Sequence, residues 1–290
     1  AITSTPEELN IVDGGTSATS TTVADADRVV LNDNGTMVQV AVTDLSAYFD
    51  DEITAMPNLV TVGAGGTAST VAGIPFFSAD NSIYTHDVSG TDDTAQHNAA
   101  YGIGAMDAIT TGDQNSALGY NALSANNTGA QNTAMGRLSL EANTSGDNNT
   151  AYGSSTLSAN STADDNTAIG KGSMQANTTG AANTAVGKDS LKANTTGTRN
   201  LAIGYQAYTA SDTENDNLAI GYQAMTTNTA GGVNNLALGN YALDALTSGD
   251  ANIAIGYDAG SSINTGSANT TVGVYSLDAT TSGDSNTALG

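Results

Sequence analysis

The chain has 290 residues but no cysteine, no tryptophan and only three prolines, and aromatic residues make up 5% of it. The absence of cysteine excludes disulfide bonds and a cysteine nucleophile. The apolar share depends heavily on alanine, so an ordinary core of large side chains is not available. Such a chain must gain its stability from repetition or from partner subunits.

Positive charge is scarce as well, with 6 Lys and Arg against 29 Asp and Glu and a formal net charge of -23. This balance argues against binding to a nucleic-acid backbone and against binding to anionic membrane surfaces. No apolar run is long enough to span a membrane, and no signal peptide is visible. Because the chain starts at Ala1 and stops at Gly290 inside a repeat, we expect it to be a piece of a longer protein.

Glycine, in contrast, is abundant and periodic, within the pattern Asn-x-Ala-x-Gly, in which one copy has Thr271 in place of alanine. Successive copies lie 17 residues apart, except for one step of 18 between Asn217 and Asn235. The twelve copies begin at Asn98, Asn115, Asn132, Asn149, Asn166, Asn183, Asn200, Asn217, Asn235, Asn252, Asn269 and Asn286. A fixed short period is typical of a solenoid, and we expect the extra residue to lie in the turn near Gly232.

Each repeat combines a short strand such as Asn166–Gly170 with a second apolar step such as Ala122-Leu123 and a polar turn. Glycine in every copy excludes a helix. The pattern therefore predicts an all-β fold, a parallel β-solenoid of 17-residue coils over residues 98–290. Seventeen residues at about 3.3 Å each would give a coil perimeter of roughly 56 Å, which suits a flattened, two-sided coil. Twelve coils stacked about 4.8 Å apart would form a rod roughly 55 Å long.

The residues before the repeats form two further predicted regions. Residues 1–62 are a leader, with strands at 28–31 and 36–42 joined by an Asn-Asp-Asn-Gly turn and a short helix over 44–51. Residues 63–97 are interpreted as a linker followed by a cap over the first coil, because an open sheet end invites aggregation.

The repeat strands carry apolar residues on both faces in the later copies. Leu201 and Ile203 share one face, and Ala202 and Gly204 share the other. The coil interior can cover only one face, so we expect an identical chain to cover the other. The residues assigned to this core or oligomer strand are Ile169, Val186, Leu201, Ile203, Ile220, Leu238, Ile253 and Ile255.

The motif Asn-Thr-Ala-Ile-Gly resembles the repeat in the YadA-like heads of trimeric autotransporter adhesins. The longer unit from Asn183 to Arg199 is similar to repeats in phage tail fibres, and residues 1–62 resemble segments of tail-fibre proteins of marine and cyanobacterial phages. The resemblance implies a left-handed β-roll, a homotrimer and a place in the virion tail fibre. It also implies other virion tail proteins as partners, and a glycan or protein of the host surface.

No catalytic or metal-binding constellation is recognisable, so neither an enzymatic activity nor a cofactor is expected. His86 and His97 lie outside the repeats and are interpreted as surface or cap residues. Tyr120, Tyr205, Tyr222 and Tyr257 share one position of the repeat and either contact a glycan or pack across coils. The motif asparagines, from Asn115 to Asn217 and beyond, are expected to form an amide ladder.

The leading functional hypothesis is a shaft or adhesin segment of a viral tail fibre that positions or mediates attachment to a host surface. The head of a bacterial trimeric surface adhesin is the alternative. A third reading is an ice- or mineral-binding solenoid built on flat threonine rows. It is the weakest, because threonine gives way to leucine and isoleucine from Leu201 onward.

Overall fold

The computed structural model describes residues 94–228 and 231–290 together with five earlier strands within residues 28–84. The chain divides into two units, Ala1–Val60 and Thr61–Gly290, which are described separately. The part of the chain so described contains strands and turns and no helix. It therefore offers no helix able to cross a membrane.

The first unit contains a β-hairpin. Strands β1 (Arg28–Asp33) and β2 (Thr36–Ala41) pair antiparallel, with Asp33 opposite Thr36. Only two residues then separate the strands, so the hairpin is tighter than the four-residue turn expected from the sequence. The helix predicted over 44–51 lies outside the described residues.

The second unit begins with three short strands, β3 (Ser69–Val71), β4 (Ile74–Ala79) and β5 (Ser82–Tyr84). They pair antiparallel in sequence, β3 with β4 and β4 with β5. Strand β5 then pairs parallel with the first repeat strand, β6 (Ala99–Tyr101). Part of the region interpreted as linker thus contributes strands to the end of the repeat sheet.

Twelve repeat strands, β6 to β17, form a single parallel ladder in sequence order. After β6 they are β7 (Ser116–Leu118), β8 (Thr133–Met135), β9 (Thr150–Tyr152), β10 (Thr167–Ile169), β11 (Thr184–Val186), β12 (Leu201–Ile203), β13 (Leu218–Ile220), β14 (Leu236–Leu238), β15 (Ile253–Ile255), β16 (Thr270–Val272) and β17 (Thr287–Leu289). Equivalent residues pair directly, such as Ala168 with Ala185 and Ala219 with Ala237. The predicted β-solenoid of consecutive coils is confirmed.

The strand in each coil is shorter than expected, three residues such as Thr167–Ile169. Turns make up the rest of each coil, and non-glycine residues there repeatedly adopt positive φ, as at Asp189, Leu191 and Arg199. Left-handed residues bend the chain sharply. The perimeter estimated from fully extended residues is therefore too long.

The interior is thin and regular. Alanine at the third position of the repeat, counting the motif asparagine as the first, points inward and is buried, as at Ala168 and Ala202. Opposite it lies a larger residue at the ninth position, as at Leu157, Leu191 and Leu243, also buried; the coil from Asn252 has Gly260 there and buries Ile263. Burial of the ninth-position side chain is the main hydrophobic contribution of each coil to stability.

Glycine at the fifth position is required by the stacking of the coils. Gly204 has φ +139, and a Cβ added to it would collide with the carbonyl oxygen of Gly221 in the next coil. No L-residue can occupy this corner without separating the coils.

The single 18-residue coil keeps the strand register. Elsewhere an asparagine at the twelfth position bonds the carbonyl three residues later, as Asn177 does with Gly180, but Asn228 bonds Gly232, four residues later. The extra residue therefore lies in the turn where it was expected, and Gly231 there has open space around its Cα.

Candidate functional site

The motif asparagines form a ladder that closes each coil and joins it to the next. The backbone N–H of Asn183 donates to Oδ1 of Asn166 at 3.0 Å, and Oδ1 of Asn183 accepts from the N–H of Asn200 at 2.9 Å. Its Nδ2 donates to the carbonyl of Gly197, at the far end of the same coil, at 2.7 Å. The side chain is fully buried, so its polar atoms must be satisfied in this way.

A second asparagine ladder lies at the twelfth position of the repeat. The sequence predicts only a polar turn there. Nδ2 of Asn177 donates to Oδ1 of Asn160 at 3.0 Å and to the carbonyl of Gly180 at 2.9 Å. Its own Oδ1 accepts from Nδ2 of Asn194 at 2.7 Å. The regular 17-residue recurrence of these asparagines was the available signal.

This ladder ends where the repeat becomes irregular, in the coil that starts at Asn200. Tyr208 replaces the usual leucine or methionine, and Glu214 replaces the turn glycine. The buried Glu214 carboxylate accepts from the N–H groups of Asp212 at 2.8 Å and of Gly231 in the next coil at 3.1 Å. Burial raises the pKa of the Tyr208 hydroxyl well above its ordinary value, so this group stays neutral. The cluster is a structural joint between two unequal coils.

The second and fourth positions of the repeat point away from the interior and form what we call the outer face. Ile203 is 37% exposed and Ile169 is 41% exposed, whereas the alanine between the flanking positions is buried. All eight residues assigned to the core or oligomer strand lie on this outer face: Ile169, Val186, Leu201, Ile203, Ile220, Leu238, Ile253 and Ile255. None of them contributes to the coil interior, which is filled by the alanine and ninth-position columns.

The outer face begins with an apolar depression of about 300 Å³. It is lined by Ile83 from the cap strand and by Tyr101, Leu118 and Met135 from the first three coils. Residues from four successive strands therefore present one continuous apolar surface.

A tyrosine ladder runs along the corner that follows the strands. The rings of Tyr205 and Tyr222 stack with centroids 5.3 Å apart and planes inclined by 11°. The ladder continues edge to face through Tyr241, Tyr257 and Tyr275, with centroid distances of 5.4 to 5.9 Å. Tyr241 and Tyr275 lie at the seventh position of the repeat and not at the sixth, so they are not among the tyrosines predicted from the sequence.

The geometry of this ladder limits how it can contact a ligand. The ring of Tyr205 has Tyr222 stacked on it and Nζ of Lys188 at 5.2 Å from its centroid. Rings that face one another present mainly edges and hydroxyls to solvent, which favours cross-coil packing. Tyr120, the fourth predicted contact residue, is exposed and lies five coils before Tyr205 and outside the ladder.

Residues 94–228 and 231–290 contain no group of three or more His, Asp or Glu side chains placed to hold a metal ion. His97 is an exposed residue with φ 60 just before the first motif, and His86 lies outside the described residues. The polar side chains with the most buried hydrogen bonds, the two asparagine ladders, are fully engaged within the fold. The large apolar side chains that remain exposed in the described coils lie on the outer face and at the corner that follows the strands.

Comparison with known proteins gives no family. No family model matches the chain, and no curated protein and no solved structure matches it either.

Proposed function

We propose that this chain is a non-catalytic shaft segment of a viral tail fibre, assembled as a homotrimer, which positions or mediates attachment to a host surface. The observation that carries the proposal is the uncovered apolar outer face, which runs along a rod of regularly stacked coils. A rod held by repeated hydrogen bonds is suited to act as a spacer and to present a long regular surface. Neither role requires a flexible active site.

The outer face supports self-association because a soluble chain rarely leaves so continuous an apolar surface in water. From Leu201 to Ile255 both outward positions of every strand are aliphatic. Sheets that are apolar on both faces are normally covered on both faces. An identical chain with the same coil spacing matches this surface along its whole length.

The tail-fibre assignment is supported by the resemblance of residues 1–62 and of the 17-residue unit to tail-fibre proteins. Other virion tail proteins and a host-surface glycan or protein are the proposed partners. If this segment contacts a receptor, Tyr120 is the best placed of the four candidate tyrosines, because its ring lies outside the tyrosine ladder. Tyr205, Tyr222 and Tyr257 would contribute ring edges and hydroxyls.

Light scattering on the purified chain tests the assembly. We expect a mass of three 28.8 kDa chains, about 86 kDa, that persists on dilution. Leu218→Glu combined with Leu236→Glu places charge on the outer face and should give monomers, because an unpaired buried charge is costly. The matched control is Thr196→Glu, an exposed turn residue away from this face, which should leave the mass unchanged. A monomeric native chain would contradict the proposal.

Two alternative functions would use the same coils. A bacterial trimeric adhesin would use the same coils and the same face, and a membrane anchor encoded downstream in the gene would favour it. The threonines at 133, 150, 167 and 184 pair directly on the outer face, which is the arrangement that an ice-binding surface needs. Thermal hysteresis in the purified chain would support that reading.

A further inference from the structure

The two edges of the outer face carry opposite charge. We call the corner after the strands, at the sixth position, the cation rim: it holds Arg137, Lys171 and Lys188 and then the tyrosine ladder. We call the corner before the strands, at the sixteenth and seventeenth positions, the acid rim. It holds Asp113, Asp147, Asp164, Asp165, Asp216, Asp250 and Asp284, together with one cation, Arg199, which pairs with Asp216 at 2.6 Å. Because each strand crosses the face between them, the rims lie on opposite sides of it.

Within one chain these rims place like charges next to one another. Lys171 and Lys188 occupy the same position in consecutive coils, and so do Asp147 and Asp164, which stack about 4.8 Å apart in a parallel ladder. Like charges directly opposite on neighbouring strands are destabilising. Oδ1 of Asp164 accepts from the N–H of Asp147 at 2.8 Å, which fixes the carboxylate at this edge but does not neutralise it.

The cations of the rim are only partly compensated inside the chain. Lys188 has Asp189 at 3.6 Å. No carboxylate lies within 4 Å of Lys171 or Arg137 in the part of the chain that the structure describes. Both are exposed, as are Asp164 and Asp165 on the other rim. Both rims therefore have charge available for a second molecule.

The direction of association decides which rims meet. If two copies run parallel about an axis along the rod, the cation rim of one faces the acid rim of the next. In an antiparallel, face-to-face dimer, which would replace the proposed trimer, each rim meets its own counterpart and like charges oppose one another. Charge complementarity selects the first arrangement, because like-charge juxtaposition across an interface is penalised.

We propose that copies of this chain associate parallel, with the cation rim of one copy against the acid rim of its neighbour, so that Lys171 and Lys188 pair with Asp164 and Asp165. The proposal rests on the self-association proposed above and adds its direction and its charged contacts. The apolar outer face supplies the area, and the rims supply the orientation.

Cysteine cross-linking tests the direction, since the native chain has no cysteine. Ser154→Cys and Asn148→Cys place one thiol on each rim of the same coil, on either side of β9, without altering a charge. The length of β9 separates them, so a linker shorter than this strand cannot join them within one chain. A short bismaleimide tolerates an offset of one coil, about 4.8 Å, between neighbours.

The proposal expects covalent oligomers from the double variant and none from either single variant. Efficient cross-linking of a single variant would show that like rims meet and would overturn the parallel arrangement. Failure of all three variants, with an oligomeric mass by light scattering, would show that the rims do not meet and would overturn it equally. A monomeric mass would remove the self-association itself and so is distinguishable from both.

Charge reversal tests the contacts independently. Lys171→Glu with Lys188→Glu should weaken association about tenfold, which corresponds to roughly 1.4 kcal/mol. Asp164→Lys with Asp165→Lys should do the same, and all four changes together should restore the native association. Additive weakening in the fourfold variant would overturn the assigned pairing. Circular dichroism of each variant checks that the coils remain folded.

Discussion

The two halves of the solenoid share one interior and differ on the outside. Coils from Asn115 to Arg199 carry serine or threonine at the second position and hold five of the six cations of the chain. Coils from Asn200 onward carry leucine or isoleucine there until Ile253, display the tyrosine ladder and contain no Lys or Arg.

The difference teaches which positions the fold constrains. The motif asparagine and the corner glycine persist through both halves, as does the inward alanine except at Thr271, because each coil must close and stack on the next. The outward positions change freely, since nothing within the chain packs on them. The change at Leu201 therefore reflects what lies outside the chain, and the aliphatic half is the part where we expect the tightest contact between copies.

The largest loss of stability should follow substitution of the corner glycine, and it should be the same in both halves. Gly136→Ala and Gly204→Ala each place a Cβ against the carbonyl of the next coil at a φ near +139, and each should cost about 3 kcal/mol or more. Urea unfolding measures this loss. Gly231→Ala, which has open space around it, is the matched control and should lose clearly less. Unequal losses for the two corner variants would break the claim of a common interior.

A charge placed on the outer face should lower the stability of the assembled protein by different amounts in the two halves. Ile203→Asp should lower the stability of the assembled protein by about 3 kcal/mol, because the charge would be buried between copies. Thr167→Asp, at a threonine of the outer face in the other half, should cost less than Ile203→Asp, because Thr150 and Thr184 beside it make this part of the face more polar. Thermal melting at one protein concentration compares them. An unchanged melting point for Ile203→Asp would mean that this face stays in water.

The smallest expected change in stability comes from acidic side chains that have no cation beside them. Asp189 has Lys188 and Lys192 beside it, whereas burial and then the nearby Asp258 raise the pKa of Asp244. A raised carboxyl pKa in the folded state means that the ionised form costs stability at neutral pH, a cost that vanishes as pH falls below the unfolded pKa. Asp244→Asn should therefore melt slightly higher at pH 7 and match the native chain near pH 3. A variant that melts lower at pH 7 would contradict this assignment.

Much of the ladder could be predicted from the sequence because the asparagine motif fixes the register directly. Equivalent residues at Asn183 and Asn200 must superimpose if each repeat is one coil, and the strand pairs do so. The direction of the strand faces could not be predicted, since Leu201 and Ala202 are both apolar and the alternation rule distinguishes only polar from apolar. The thin interior settles it: opposite the ninth-position leucine, the strand can turn only a small side chain such as alanine inward.

The turns were less predictable. Leu191 adopts positive φ although leucine does not favour it, because inter-coil hydrogen bonds such as that from the Leu191 N–H to the Ala207 carbonyl hold it there. The tyrosine ladder was found only in part for a related reason. The sixth and seventh positions lie together at the corner, so Tyr241 continues a column that the sequence assigns to Asn240.

The second asparagine ladder has a chemical consequence. Asn177 and Asn194 each begin an Asn-x-Thr triplet, the acceptor signal for N-linked glycosylation. Each amide nitrogen is fully buried and donates both to the asparagine one coil earlier and to a carbonyl of its own turn. Sugar transfer would have to break both hydrogen bonds and open the stack, so the folded rod keeps these signals silent and its surface free of attached carbohydrate at these turns.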